Sequence, residues 1–315
     1  MYFFQIYKII RHITINLTLG IEQPKLDFVD VKLNTDNMLF VDPRLIESSS
    51  SVLALKMQKY IEVFWGELIK SVKIKDLNQI NNLLFGLSEP NETRLGYAFS
   101  KHFGNSVGNK LKPKIIEAIQ KNKAVRSGVL SHFADVEFFI EDINSDRISD
   151  ITTKIVKEVL IEYTQQQCKL HNIPMKIVYQ DDIFDYKTLK WIGRKVELPV
   201  YGNSPIIFIP KNIVRFGNGA NSNVKCFYRY AIRNFIMNDL TMLEDVSPTG
   251  KNGEICIRDI KAKHPLNKES LTNWSINYGK LLVDYKTDHL NGRLRVLTDE
   301  EISEIVYDKG LLNVG

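Results

Sequence analysis

Hydrophobic positions recur at helical spacing through the middle of the chain. After the run of serines 48–51, which is typical of a helix N-terminus, apolar side chains repeat every three or four residues. They are Leu53, Met57, Tyr60, Ile61, Phe64, Trp65 and Leu68. The same spacing predicts further helices near residues 75–86, 107–121, 148–170, 224–243, 268–277 and 298–306.

Strand patterns flank this helical region. The first forty residues alternate and are rich in β-branched and aromatic types, which predicts two or three strands. Short apolar runs predict strands at 136–140 and 175–179, and Gly202-Asn203 between two such runs gives the strongest hairpin signal. We therefore predict an α+β fold, with α/β as the alternative. Its N-terminal part is β-rich, its middle is helical and its C-terminal part contains the hairpin.

Composition agrees with an ordinary globular protein. The chain has 315 residues, of which 44% are hydrophobic and 25% are charged, and this excludes disordered, collagen-like and disulfide-scaffold classes.

The length predicts an α+β domain at 1–174 and a basic α+β domain at 175–315, with a single domain as the alternative. Three distant cysteines indicate neither disulfides nor a zinc ribbon. Cysteines in this pattern suit a reducing compartment, so we expect a cytoplasmic protein. Since no apolar run reaches the roughly 18 to 20 residues that span a bilayer, we also expect no membrane contact.

The charged residues are unevenly distributed. Residues 101–126 hold seven Lys or Arg against one Glu, and residues 187–233 hold nine against one Glu. Between these basic segments, residues 131–150 hold six acids against one Arg. This order suits a metal or catalytic centre flanked by phosphate-binding surfaces, although solvated protein faces produce the same pattern.

The acidic segment supplies candidate catalytic residues. Carboxylate side chains on one strand and its following loop can converge on Mg²⁺ or Mn²⁺, while an arginine contacts a phosphate. In the alternative interpretation, Ser145, Asp146 or Ser149 merely caps a helix. The candidate catalytic residues are Asp135, Glu137, Asp142, Asp146, Arg147 and Asp150, and the candidate metal ligands are Asp142 and Asp146.

Two basic segments supply candidate nucleic-acid contacts. In the predicted helix at 224–243, cations four residues apart form one stripe that suits a phosphate backbone. Near residue 104, closely spaced glycines precede another lysine-rich helix and resemble an anion-binding turn without the Walker sequence. An ordinary solvated helix face and an ordinary turn are the alternatives. The candidate nucleic-acid-binding residues are Lys101, Lys110, Lys112, Lys114, Lys225, Arg229 and Arg233.

Several strings resemble those of a known family. They are Phe28-Val-Asp-Val31, Leu39-Phe-Val-Asp-Pro43, Ser88-Glu-Pro-Asn-Glu-Thr93 and Ser145-Asp-Arg-Ile-Ser-Asp-Ile-Thr-Thr153. Over residues 25–215 the chain resembles an uncharacterised family of bacterial proteins linked to phage-defence and mobile-element gene neighbourhoods. Longer relatives continue into a segment like a PD-(D/E)XK nuclease with a Gly-Pro-Val-Asp-Phe string, which this sequence lacks. The resemblance implies a defence-linked role directed at nucleic acid.

A PD-(D/E)XK site elsewhere in the chain would need an acid and then an acid-x-Lys string on a neighbouring strand. Chance supplies several such strings in a chain with this many acids and lysines. Asp284 and Lys286 form the best one, because they lie in the strand-like apolar run 281–286.

Together these patterns predict a component of an antiviral defence system that acts on nucleic acid, with metal-dependent cleavage as one form of that action. The alternative is a non-catalytic subunit that binds a partner effector or recognises a phage component. The expected partners are nucleic acid and either a protein from the same operon or a second copy of the chain. The expected cofactor is Mg²⁺ or Mn²⁺.

Overall fold

The computed structural model describes residues 23–33, 37–96, 122–141, 143–217, 222–290 and 294–307. The predicted helix at 107–121 and the glycine turn near residue 104 lie outside these ranges. The α-helices are α1 (Pro43–Ser48), α2 (Val52–Ile74), α3 (Leu77–Phe85), α4 (Lys123–Ser127), α5 (Val136–Phe139), α6 (Ser145–Ile155), α7 (Lys157–Leu170), α8 (Ser222–Asn234), α9 (Leu240–Leu243), α10 (Ile257–Lys263), α11 (Lys268–Asn277), α12 (Leu281–Tyr285) and α13 (Asp299–Tyr307).

The strands form three small antiparallel sheets in the described ranges. β1 (Leu39–Val41) pairs with β6 (Val214–Phe216), and β4 (Val200–Tyr201) pairs with β5 (Ser204–Pro205). The long ribbon joins β2 (Lys176–Asp185) to β3 (Lys190–Leu198), with an irregularity in the register between Gln180 and Ile183. The predicted α+β class is therefore confirmed, and helices surround small sheets.

Helix α2 shows how the sequence determines the local structure. The Ser51 hydroxyl accepts a hydrogen bond from the Ala54 amide at 3.1 Å and so begins the helix. The helix ends at Lys75, whose φ of 61° is left-handed. The buried side chains of α2 recur at helical spacing and include Met57, Ile61, Phe64 and Leu68. They join one hydrophobic core that contains residues from both sides of position 174. The predicted domain boundary at 174 stays a prediction.

Two predicted strands are wrong. The run 136–140 is mostly helix α5, and all four of its helical residues are buried. Periodicity cannot distinguish a short buried helix from a buried strand, because every position is apolar or enclosed in both. The run 281–286 contains α12, where Leu281, Leu282 and Tyr285 are buried while Val283 is 62% exposed, which is a helical period.

A PD-(D/E)XK site at Asp284 and Lys286 would need a strand, but residues 281–285 form helix α12. Lys286 instead begins a π-helix, Lys286–Leu290. Helices of this kind are rare and often occur at functional sites.

Among the described residues, no helix combines the length and hydropathy that crossing a lipid bilayer requires.

Candidate nucleic-acid interface

Helix α8 separates an apolar face from a cationic one. Its buried side chains include Val224, Phe227, Ala231 and Ile232, which fix the helix on the core. Lys225, Arg229 and Arg233 lie on the opposite side and are exposed. Four residues correspond to an axial rise of about 6 Å, so these cations follow one line along the helix. We call Lys225, Arg229 and Arg233 the α8 stripe.

The charges of the α8 stripe are not engaged within the described structure. None of the three cations has an ion pair or a side-chain hydrogen bond with a described residue. Two basic residues of the preceding segment differ, since Arg215 contacts Asp42 at 2.6 Å and Lys211 contacts Asp299 at 2.6 Å. Within the described structure the stripe therefore keeps its charge available to an anionic partner.

A cleft of about 530 Å³ lies at the N-terminal end of α8. Its lining includes Asn144 and Asn267, which cap α6 and α11, and Val224, which precedes the first cation of the stripe. Arg147 also lines the cleft and has no carboxylate within 4 Å among the described residues. Helix N-termini and an unpaired arginine both favour anions. We call this the α8 cleft.

The α8 cleft also contains an acid. The Glu141 carboxylate accepts a hydrogen bond from the Lys268 backbone amide at 3.2 Å, at the start of α11. The Lys268 ammonium is buried and donates to the carbonyls of Ile140 and Ile143 at 2.6 and 2.7 Å. Glu141 already occupies the N-terminus of α11. The groups in the cleft that favour an anion are therefore Arg147 and the N-termini of α6 and α8.

Glu137 holds the elements around the α8 cleft together. Its Oε1 accepts hydrogen bonds from Arg44 Nη2 at 2.5 Å and from Asn223 Nδ2, near the start of α8, at 2.9 Å. Its Oε2 accepts from the Ser145 hydroxyl, at the start of α6, at 2.9 Å. Glu137 is thus a structural anchor inside the core, because its carboxylate oxygens accept from side chains of three different elements and it is 1% exposed.

Arg44 is the cation of this buried network. It is 5% exposed, donates to the Ala134 carbonyl at 2.6 Å and lies over the Phe138 ring at 5.2 Å from the centroid. Burial opposes its charge, but the neighbouring carboxylates of Glu137, Asp42 and Asp135 outweigh burial and raise the pKa of Arg44. The sequence interpretation missed Arg44, because an arginine in an apolar run has no distinctive spacing.

Asp135 lies close to Glu137 in sequence but has a different partner. Its Oδ2 accepts from the Lys286 ammonium at 3.0 Å, whereas Glu137 contacts Arg44. The remaining described candidates do not join them: Asp146 and Asp150 are half-buried on α6. Burial raises the pKa of Asp146, although Arg147 opposes that rise. Within the described ranges, no group of three or more His, Cys, Asp or Glu side chains could hold a metal ion.

The other predicted site residues cannot be placed. Asp142, a candidate metal ligand, lies outside the described residues, and so do the candidate nucleic-acid contacts Lys101, Lys110, Lys112 and Lys114. The predicted cap is also revised, because the Asn144 side chain accepts from the Arg147 amide at 3.1 Å and begins α6. Asn144 therefore takes the capping role that the sequence suggested for Ser145, Asp146 or Ser149.

A second group of buried charges lies where α6 and α7 face β2. Lys157 donates to Glu92 Oε1 at 2.8 Å and to the Asp181 carbonyl at 3.0 Å. Lys154 is 2% exposed, and its ammonium is 3.7 Å from the Asp182 carboxylate. Burial, followed by the like charge of Lys157, lowers the pKa of Lys154. Sequence patterns missed this group as well.

The environment of Lys154 predicts a pH-dependent effect on stability. A lowered pKa in the folded state means that the unfolded chain binds more protons at this group, so its unfavourable contribution is greatest below the folded pKa. This unfavourable contribution disappears as pH rises towards 10.5, the pKa of the lysine side chain in the unfolded chain. We expect Lys154→Met to raise the free energy of unfolding at pH 7 by about 1 kcal/mol, because it removes the buried charge and leaves Asp182, whose side chain is 25% exposed, in contact with solvent. In urea titrations that gain should shrink by pH 10, and a gain independent of pH would contradict the explanation.

Comparison with known proteins gives one family match. A model of the family described as a domain of unknown function, DUF8370, matches residues 18–221, which is more than half of the chain. No curated protein and no solved structure shows significant similarity to the chain. The match includes Glu137 and its partners Arg44 and Ser145, and it ends just before α8 begins.

Proposed function

The chain belongs to the DUF8370 family, and we propose that it binds nucleic acid through the phosphate backbone, with the α8 stripe as the principal contact. The observation that carries this proposal is the alignment of Lys225, Arg229 and Arg233 on one exposed helix face without acidic partners in the described structure. Neutralisation of phosphates by such cations releases condensed counterions, which is the main source of sequence-independent affinity.

The α8 cleft extends this surface. It adds Arg147 and the N-terminal ends of α6 and α8, where backbone amide groups and the helix dipoles favour a phosphate. Glu137 joins both of these helix starts to the buried Arg44 and so keeps the geometry of the cleft fixed. A rigid cationic line that leads into an anion-favouring cleft suits a continuous polyanion better than an isolated phosphate.

The acidic segment supports the interface rather than a reaction centre in this proposal. Asp135 and Glu137 are 1% exposed and paired with different cations, Lys286 and Arg44, so their carboxylates do not converge on one ion as metal-dependent cleavage requires. We therefore propose binding as the activity. The defence role that the sequence predicted concerns the use of that binding in the cell and needs a separate test with infected cells.

The direct test is a fluorescence-anisotropy titration of the full chain with three labelled duplexes of equal length and unrelated sequence. We expect similar affinities for all three, and a steep loss of affinity as salt rises, because phosphate contacts carry no sequence information. The same mixtures, incubated with Mg²⁺, Mn²⁺ or EDTA and run on a gel, report any cleavage. Absence of binding at low salt to duplex DNA, single-stranded DNA and RNA would refute the proposal.

A further inference from the structure

A second cleft, of about 580 Å³, lies between the loop after α4, helix α11 and the junction of α12 with the π-helix. We call it the Asp135 cleft. Small-molecule sites in proteins have volumes of about 300 to 1,000 Å³ and combine apolar walls with a few fixed polar groups. Val129, Leu282 and Val283 supply apolar surface here, and the polar lining includes Asp135, Ser275 and Lys286.

Two residues that line this cleft each have a buried polar atom without a partner in the described structure. The Oδ1 atom of Asp135 and the hydroxyl of Ser275 make no hydrogen bond, and these residues are 1% and 2% exposed. Buried polar atoms are nearly always paired, and leaving one unpaired is costly. Since both residues line the same cleft, these atoms indicate a ligand that supplies the missing hydrogen bonds.

The chemistry of the lining restricts that ligand. An ionised carboxylate can only accept hydrogen bonds, so the group that reaches Asp135 Oδ1 must be a donor. The Lys286 ammonium already neutralises Asp135 at 3.0 Å, which disfavours a second cation beside it. The Lys286 ammonium and the Asp135 carboxylate offset each other's charge, so an anion gains no net attraction in the cleft either. A neutral ligand with N–H donors satisfies all three conditions.

We propose that the Asp135 cleft binds a single unpaired guanine base. Guanine is neutral and planar, and its imino and amino groups place two donors side by side on one edge. A carboxylate that accepts from such an edge forms charge-assisted hydrogen bonds, and the apolar side chains contact the ring. The proposal deepens the nucleic-acid function and rests on it for the source of the base. Phosphate contacts would position the polymer while this cleft recognises one base.

The test uses the full chain and isothermal titration calorimetry with GMP, AMP, CMP and UMP. We expect GMP to bind at least about tenfold more tightly than UMP, which has one donor on the equivalent edge. Ser275→Ala should weaken GMP binding about tenfold without lowering the thermal midpoint, because the hydroxyl it removes has no partner in the unliganded protein. Equal binding of the four nucleotides, or no binding of any, would overturn the proposal.

A specificity switch separates recognition from a structural effect. Asp135→Asn replaces a pure acceptor by an amide that can donate, and xanthosine monophosphate carries a carbonyl where guanine carries its amino group. We expect this variant, shown by circular dichroism to be folded, to prefer xanthosine monophosphate to GMP. A folded variant that retains the wild-type preference would also overturn the proposal.

Two further measurements keep this inference distinct from the proposed backbone binding. Charge reversal of the α8 stripe should leave GMP affinity unchanged, and Asp135→Asn should leave affinity for a fully paired duplex unchanged. A single-stranded oligonucleotide with one guanine, set against free GMP in competition, distinguishes a polymer base from a free nucleotide. Tighter binding of the oligonucleotide supports a base within a strand, and equal or weaker binding supports a free guanine nucleotide.

Discussion

Reversal of the α8 stripe, with Lys225, Arg229 and Arg233 all replaced by Glu, is expected to lower affinity for nucleic acid about 100-fold at low salt. The reason is the loss of three phosphate contacts and their replacement by repulsive charges. The loss should be the same for every sequence, because phosphate contacts carry positional and not sequence information. Anisotropy titrations of the wild type and the variant against three unrelated duplexes measure it.

A matched control separates a local contact from a change in overall charge. Lys59, Lys70 and Lys73 are exposed on helix α2, and their replacement by Glu changes the net charge of the chain by the same amount. We expect this α2 variant to lose less than about tenfold in affinity, through long-range electrostatics alone. Equal losses in the two triple variants would show that the α8 stripe has no special role.

Arg44→Ala is expected to lower the free energy of unfolding by about 3 to 5 kcal/mol. In the wild type the Arg44 guanidinium lies 2.5 Å from the Glu137 carboxylate, and the substitution leaves that buried carboxylate without a cation. It also removes a donor from the Ala134 carbonyl and a cation from the face of Phe138. Urea denaturation followed by circular dichroism measures the change.

An exposed ion pair provides the comparison for Arg44. Lys56 and Glu162 form a salt bridge, and each side chain is 42% exposed. Lys56→Ala should change the free energy of unfolding by less than about 1 kcal/mol, because solvent screens the pair. If Arg44→Ala costs no more than Lys56→Ala, the network around Glu137 is not the anchor that we describe.

Long helices were predictable from sequence where apolar residues recur at helical spacing after a clear N-terminal cap. The helix expected after serines 48–51 is α2, Val52–Ile74, and the helices expected near 268–277 and 298–306 are Lys268–Asn277 and Asp299–Tyr307. In α2 and α13 one face is apolar and the other is polar, so the period of burial is visible in the residue types. The exposed α8 stripe was predictable for the same reason.

Short buried segments and long ribbons were less predictable. Helix α5 has no polar face that could reveal its period, so it resembled a strand. The hairpin expected around Gly202-Asn203 exists only as the two-residue strands β4 and β5. The longer β2–β3 ribbon was recognised only in part, since its outer face carries Ile177 and Tyr179, which are 70% and 64% exposed and obscure the alternation.

The buried charges could not be read from sequence at all. Arg44, Lys154 and Lys157 are each at most 5% exposed, yet a charged residue in a sequence is ordinarily a surface residue. Their partners, Glu137, Asp182 and Glu92, lie 93, 28 and 65 positions away along the chain. Only the folded chain brings these pairs together, and the same is true of Asp135 and Lys286.

The salt dependence of binding tests the central claim most directly. Plots of log affinity against log salt concentration for the wild type and the reversed α8 stripe, on one duplex, compare the number of phosphates that each protein contacts. We predict that the slope of the variant is shallower by about 2 to 3, because each lost phosphate contact removes about 0.7 to 0.9 from the slope. Identical slopes in two folded proteins would contradict the claim that the α8 stripe binds the backbone.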